Sequence, residues 1–297
     1  MPVQHPVRRV AMALISSALA AGALVAVSSS PATAATPEHQ IAVKAKKYKK
    51  KVGAPVSGYK KISRYGKRVT YRKYKRAVIA HNGSRVKLVT GKMYASYKKR
   101  GGVRGKFGAP ITTKLCGLRE RACIQRFQHG AIYRNSRAKH RVAVAYFTGR
   151  RAALIATARS QLGYREPGVR KNKYGKWING GKYSSLAWCS FFSSWASGAS
   201  GNRKAIPWSK SFPAFRTAVK KRGHLHKKPK IGDMAFIDYF HNGTSSHTGI
   251  VVGISKKRVS LIEGNVDSNG GSTRTKKGVY KTSRPRGQVR FYATPRY

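Results

Sequence analysis

Cys189, His247, Glu263 and Asn265 follow one another along the C-terminal half of the chain. Their types suit acyl transfer. A cysteine attacks a carbonyl as its thiolate, a histidine takes and returns the proton, and a carboxylate or amide holds the imidazole in the working tautomer. Cys189 lies at the start of an apolar run, Trp188 to Trp195, with Ser184 and Ser185 before it as N-cap candidates. That places it in the first turns of a helix, where unpaired amides and the positive dipole end favour thiolate over thiol. Cys116 and Cys123 are seven apart, close enough to pair across a tight loop, which leaves Cys189 as the odd thiol of three.

The partners fall on strands. Gly232 to Asp238, His247 to Ile254 and Val259 to Asn265 read as consecutive antiparallel strands. Side chains alternate faces, so His247, Glu263 and Asn265 converge in one register only. A three-residue connection, Ser255 to Lys257, sets Gly249 opposite Glu263 and His247 opposite Asn265. All three then share a face, expected to be the one that receives the Cys189 helix. A four-residue connection pairs Ile254 with Val259 and sends His247 to the other side. Upstream, Ala152 to Gly163 carries apolar residues at helical spacing stopped by glycine, a helix that opens a new domain. Tyr174 and Trp177 suit groove lining and core packing equally.

The N-terminal half repeats itself. Val52-Gly-Ala-Pro55 recurs as Phe107-Gly-Ala-Pro110, and Tyr74 to Asn82 recurs as Phe127 to Asn135, at offsets of 55 and 53. Each unit reads as small β-hairpins with little helix. Arg8 and Arg9, the apolar run Val10 to Val27 and Ala32-Thr33-Ala34 form a three-part export signal with cleavage after Ala34. The expected divisions are therefore 1–34 for export, 35–150 for the repeats and 151–297 for the reactive half.

Composition narrows the partners. Sixty-three Lys and Arg face seven acids, a net charge of +56, while 40% of the 297 residues are hydrophobic. Wholesale disorder is excluded, and the partner is a polyanion that charge alone does not choose. Residues 35 to 150 carry a surplus of 30 positive charges.

The set Gln161 to Gly163, Asn172 to Trp177, Trp188-Cys189, Gly232-Asp233, His247 to Val252 and Glu263 to Asn265 resembles the CHAP family of cysteine- and histidine-dependent amidohydrolases and peptidases. The resemblance implies an α+β fold for residues 151–297, papain-like, with the cysteine helix packed on an antiparallel sheet. It implies Cys189 as nucleophile, His247 as base and Glu263 with Asn265 as the pair that orients it. Tyr174, Trp177 and Trp188 are the substrate-binding candidates. The second N-terminal unit, Phe107 to Tyr133, resembles the LGFP repeat of secreted cell-wall proteins, and the first is a degenerate copy. Together these imply a secreted peptidoglycan hydrolase, either an N-acetylmuramoyl-L-alanine amidase or a peptide endopeptidase, with a catalytically inactive wall-binding protein as the alternative. Peptidoglycan and anionic wall polymers are the expected partners, with no specific nucleic acid and no membrane span in the mature chain. Glu166 is the one acid between 165 and 188, so neither a metal nor another cofactor is expected.

Overall fold

Thr36 starts the first element. Its hydroxyl accepts a hydrogen bond from the His39 amide at 3.2 Å and Pro37 follows at the first helical position, so the chain turns into helix α1 (Pro37–Lys47). The computed structural model describes residues 35–271 and 277–297; the expected export segment, 1–34, lies outside them. A short helix α2 (Lys49–Val52) leads into an antiparallel meander of β1 (Lys60–Arg64), β2 (Lys67–Tyr74), β3 (Ala77–His81) and β4 (Val86–Thr90). Helix α3 (Gly91–Lys98) follows, then a second meander of β5 (Leu115–Leu118), β6 (Ala122–Phe127), β7 (Gly130–Arg134) and β8 (Val142–Ala145). The two sheets share one strand order, and each carries a bridge from its Gly-Ala-Pro proline to an aromatic residue, Pro55 to Tyr74 and Pro110 to Phe127.

Each sheet also has a helix against it, more helix than hairpins alone would need. The reason lies in strand parity. In β3, Ile79 faces α1, while Val78 and Ala80 face the layer that holds Met93 and Tyr97 of α3. In β7, Ile132 faces that α3 layer, while Ala131 and Tyr133 face the next helix, α4 (Gly149–Ser160). Both sheets are thus apolar on both faces and must be covered twice. Thr36, Thr90 and Thr148 stand at the N-caps of α1, α3 and α4 in turn.

Helix α4 is buried nearly all round, from Ala152 to Ala158, because the second meander packs on one side of it and the C-terminal half on the other. The core is therefore continuous across the expected boundary at residue 150. Beyond it come α5 (Lys173–Ile178), α6 (Cys189–Ala199) and α7 (Phe212–Lys221). A six-stranded antiparallel sheet completes the chain: β9 (Leu225–His226), β10 (Met234–Ile237), β11 (His247–Ile254), β12 (Arg258–Val266), β13 (Gly278–Pro285) and β14 (Val289–Ala293). Its order is β13-β12-β11-β10-β14-β9. The fold is mixed α+β with antiparallel sheets. Among the described residues no helix is long and apolar enough to cross a membrane.

Candidate functional site

Cys189 is the first residue of α6 and His247 the first residue of β11. The helix begins later than the two serines suggest. Trp188 is the N-cap and supplies no side-chain acceptor, whereas the Ser184 hydroxyl accepts from the Leu186 amide at 3.2 Å in the preceding loop. The first amides of α6 are left without a side-chain cap beside the sulfur. Cys189 is a free thiol, while Cys116 and Cys123 are joined in a disulfide.

The hairpin between β11 and β12 reaches its register by a route the strand count does not foresee. Ile254 pairs with Val259, the four-residue arrangement, yet a bulge between Val251 and Gly253 restores the parity and Gly249 lies opposite Glu263. His247 and Glu263 therefore share a face. Their hydrogen bond, His247 Nε2 to Glu263 Oε2, measures 3.1 Å. Asn265 departs from expectation: it sits at a second bulge, unpaired with β13 and in the left-handed region at φ 68°, which takes it out of the pleat. Of the two, Glu263 is the one that hydrogen-bonds the ring.

Helix α6 packs on the opposite face of the sheet from the one expected, the face of Ile250 and Ile262. Gly264 is what lets it approach. A Cβ there would stand 2.6 Å from Phe192 Cβ and 2.8 Å from Trp188 Cζ3, so the first turn of α6 lies directly on the β12 backbone. Cys189 and His247 each open their element, and the sulfur is near enough to act on the ring.

Glu263 is fully buried and held from three sides. Thr282 Oγ1 donates to Oε1 at 2.7 Å, Arg284 Nε donates to Oε1 at 2.9 Å, and Arg284 Nη2 donates to Oε2 at 2.6 Å. Burial opposes its charge, but the Arg284 and His247 contacts outweigh that and lower its pKa to about 2. Burial likewise pulls the His247 pKa down, while the charge of Cys189, hydrogen bonding to its sulfur and the bond to Glu263 push it up to about 9. Tyr239 closes the group. Its ring lies 5.1 Å from the Arg284 guanidinium and 5.7 Å from the His247 ring, and its hydroxyl donates to Gly270 O at 2.8 Å.

Arg284, Thr282 and Tyr239 escape the sequence reading. The signal was the alternation along β13: Tyr280 lies opposite Glu263, so Thr282 and Arg284 must share its face. The substrate-binding candidates separate. Tyr174 and Trp188 are fully buried and stacked at 5.2 Å, so they wall the core and line no groove. The Trp188 indole N–H donates to Glu166 at 3.1 Å. Trp177 is half-buried, 3.9 Å from the Arg119 guanidinium, and lines a cleft. Chemically, a buried carboxylate, an imidazole and a thiol at a helix start can carry a proton between a sulfur nucleophile and a leaving group.

No family model matches the chain, and no curated protein matches it either.

Proposed function

We propose that the protein is a secreted cysteine hydrolase that cleaves an amide bond of peptidoglycan, as an N-acetylmuramoyl-L-alanine amidase or a peptide endopeptidase. The observation that carries this reading is the run of hydrogen bonds from Arg284 through Glu263 to His247, whose ring is held protonated in part by the nearby Cys189 sulfur. His247, fixed at Nε2 by Glu263, takes the Cys189 proton. The thiolate attacks the amide carbonyl, and the Cys189 amide stabilises the oxyanion. The imidazolium then protonates the leaving amine, an acyl-thioester remains, and water activated by His247 releases the acid and restores the thiol. The CHAP-like motif set supports this chemistry, and a helix bearing the cysteine on an antiparallel sheet supports a papain-like reading of the fold. The paired meanders, the LGFP-like motif and the surplus of basic residues support attachment to an anionic wall, from which binding falls as salt rises through about 0.1 M.

A second reading, a wall-binding protein without catalysis, draws on the 1% exposure of Cys189, since a nucleophile must be reached. One experiment separates the two. Purified walls are incubated with the native chain or with Cys189→Ala, and the released fragments are identified by mass spectrometry. Hydrolysis by the native chain alone supports the enzyme and names the bond, whereas equal release from both, or none from either, removes it.

A further inference from the structure

All seven acidic side chains of the chain are already engaged. Glu38 pairs with Lys61, Glu120 with Lys173 and Asn135, Glu166 with the Trp188 indole, and Glu263 with His247 and Arg284. Asp233 accepts from Thr294 and the Lys230 amide, while Asp238 and Asp267 accept from backbone amides of their own turns. None of them reaches one walled group of cations. Arg119, Arg203, Lys204 and Arg222 line a cleft of about 670 Å³ together with Trp177 and Trp208.

The cleft is built from both halves of the chain. Arg119 comes from the loop closed by the Cys116–Cys123 disulfide, and Glu120 of that loop anchors it through Lys173 at 2.9 Å. The Arg119 guanidinium lies between the Trp177 ring, 3.9 Å away, and the backbone of α6, where a Cβ on Gly198 would stand 3.2 Å from its Nε. Burial and the like charge of Arg203 both act against its protonated form. No carboxylate lines the cleft to offset them. Arg119 is partly desolvated, Arg203 and Lys204 stand exposed beside it, and with no carboxylate in the lining the group favours an external anion. Guanidinium groups fit carboxylate and phosphate oxygens in pairs. Trp208, 61% exposed, offers a flat apolar face of the kind the C–H face of a pyranose covers, and the volume suits a sugar-sized ligand.

We propose that this cleft binds an acidic sugar, its carboxylate or phosphate held by Arg119 and Arg203 and its ring laid on Trp208. Ser194 and Gly198 place the cleft roughly 7 to 14 Å along α6 from Cys189, so it is distinct from the thiol site. The inference takes from the proposed function only the class of polymer and does not need Cys189 to be a nucleophile.

The test is titration of the full chain followed through its four indole N–H resonances, with N-acetylmuramic acid, N-acetylglucosamine 1-phosphate and neutral N-acetylglucosamine as probes. An acidic probe is expected to shift the Trp177 and Trp208 signals and leave those of buried Trp188 and Trp195 in place. The neutral sugar is expected to bind at least about tenfold more weakly. Preference between the two acidic probes separates a carboxylated glycan from a phosphate polymer as the source. Arg203→Glu should weaken binding about tenfold, whereas Lys60→Glu, with the same charge change at an exposed site on the first sheet, should not. Trp208→Ala should weaken both acidic probes. Equal binding of the neutral sugar, equal effects of Arg203→Glu and Lys60→Glu, or shifts absent from Trp177 and Trp208 would each overturn the proposal. Cys189→Ala should bind as the native chain does, so loss of hydrolysis leaves this result standing.

Discussion

Arg284 grips both oxygens of Glu263, Nε on Oε1 at 2.9 Å and Nη2 on Oε2 at 2.6 Å, and Oε2 is the oxygen that meets His247. The guanidinium therefore sets where the carboxylate can point, and through it the ring. Removing it as Arg284→Met leaves a buried carboxylate with its main cation gone. A loss of about 3 kcal/mol in stability is expected. Arg284→Lys keeps the charge without the two-pronged grip, so it should retain most of the stability while hydrolysis falls roughly a hundredfold through misplacement of the ring. Chemical denaturation and turnover on wall fragments would read the two effects separately; full activity in Arg284→Lys would show that the grip is not needed.

The same network makes stability depend on pH at both ends. His247 binds its proton more tightly in the fold, its pKa raised from 6.5 to about 9, so its contribution is whole below 6.5 and is lost as pH rises through 9. Glu263, lowered from 4.5 to about 2, contributes fully above 4.5 and loses that as pH falls through 2. The melting temperature should be flat between these limits and fall on either side. Cys189→Ala should shrink the alkaline fall, because the sulfur is the largest influence raising the His247 pKa. An unchanged alkaline limb in that variant would show that the sulfur does not act on the ring.

Gly264 carries a prediction of its own. In Gly264→Ala the new methyl meets Phe192 Cβ and Trp188 Cζ3 at under 3 Å, and neither is the free end of a flexible chain. The first turn of α6 must lift. The expected cost is about 1 to 3 kcal/mol, with Cys189 carried away from His247. The rate of alkylation of Cys189 should rise as the thiol is uncovered while hydrolysis falls. Alkylation at the native rate would mean that the helix had absorbed the methyl elsewhere.

How much of this was legible follows from which signals are local. The strands of His247 and Glu263 and the pairing of Gly249 with Glu263 could be read from alternation, and so could the cysteine's place at a helix start. The bulge at Val252 could not. There the connection is four residues long and the bulge shifts the register back by one, which brings Gly249 opposite Glu263 as a three-residue connection would. Asn265 leaves the expected face for the same reason, because a bulge is decided by packing across three strands rather than by its own residue type. Alternation puts Arg284 on the face of Glu263 but does not pair them, because Arg284 stands opposite Val259 and reaches Glu263 on a diagonal from β13 to β12. In the N-terminal half the repeat was plain, but its helices were hidden by lysines: α1 buries only Ile41, too little for an apolar stripe.

The double-faced second meander gives the last prediction. Ala122, Ile124, Ala131, Tyr133 and Ala145 form one apolar face of that sheet, and α4 is the helix that covers it, as α3 covers the equivalent face of the first. A fragment of residues 35–148 ends just before α4. It should expose that face, bind hydrophobic dyes and melt without a cooperative transition. A fragment of residues 35–162 regains the cover and should melt cooperatively, although α4 then presents its outer side to water. The comparison tests whether the helix opening the reactive half also closes the repeat stack, as the third helix of a series marked by Thr36, Thr90 and Thr148. If the shorter fragment melts as sharply and at as high a temperature as the longer one, α4 belongs to the C-terminal half alone.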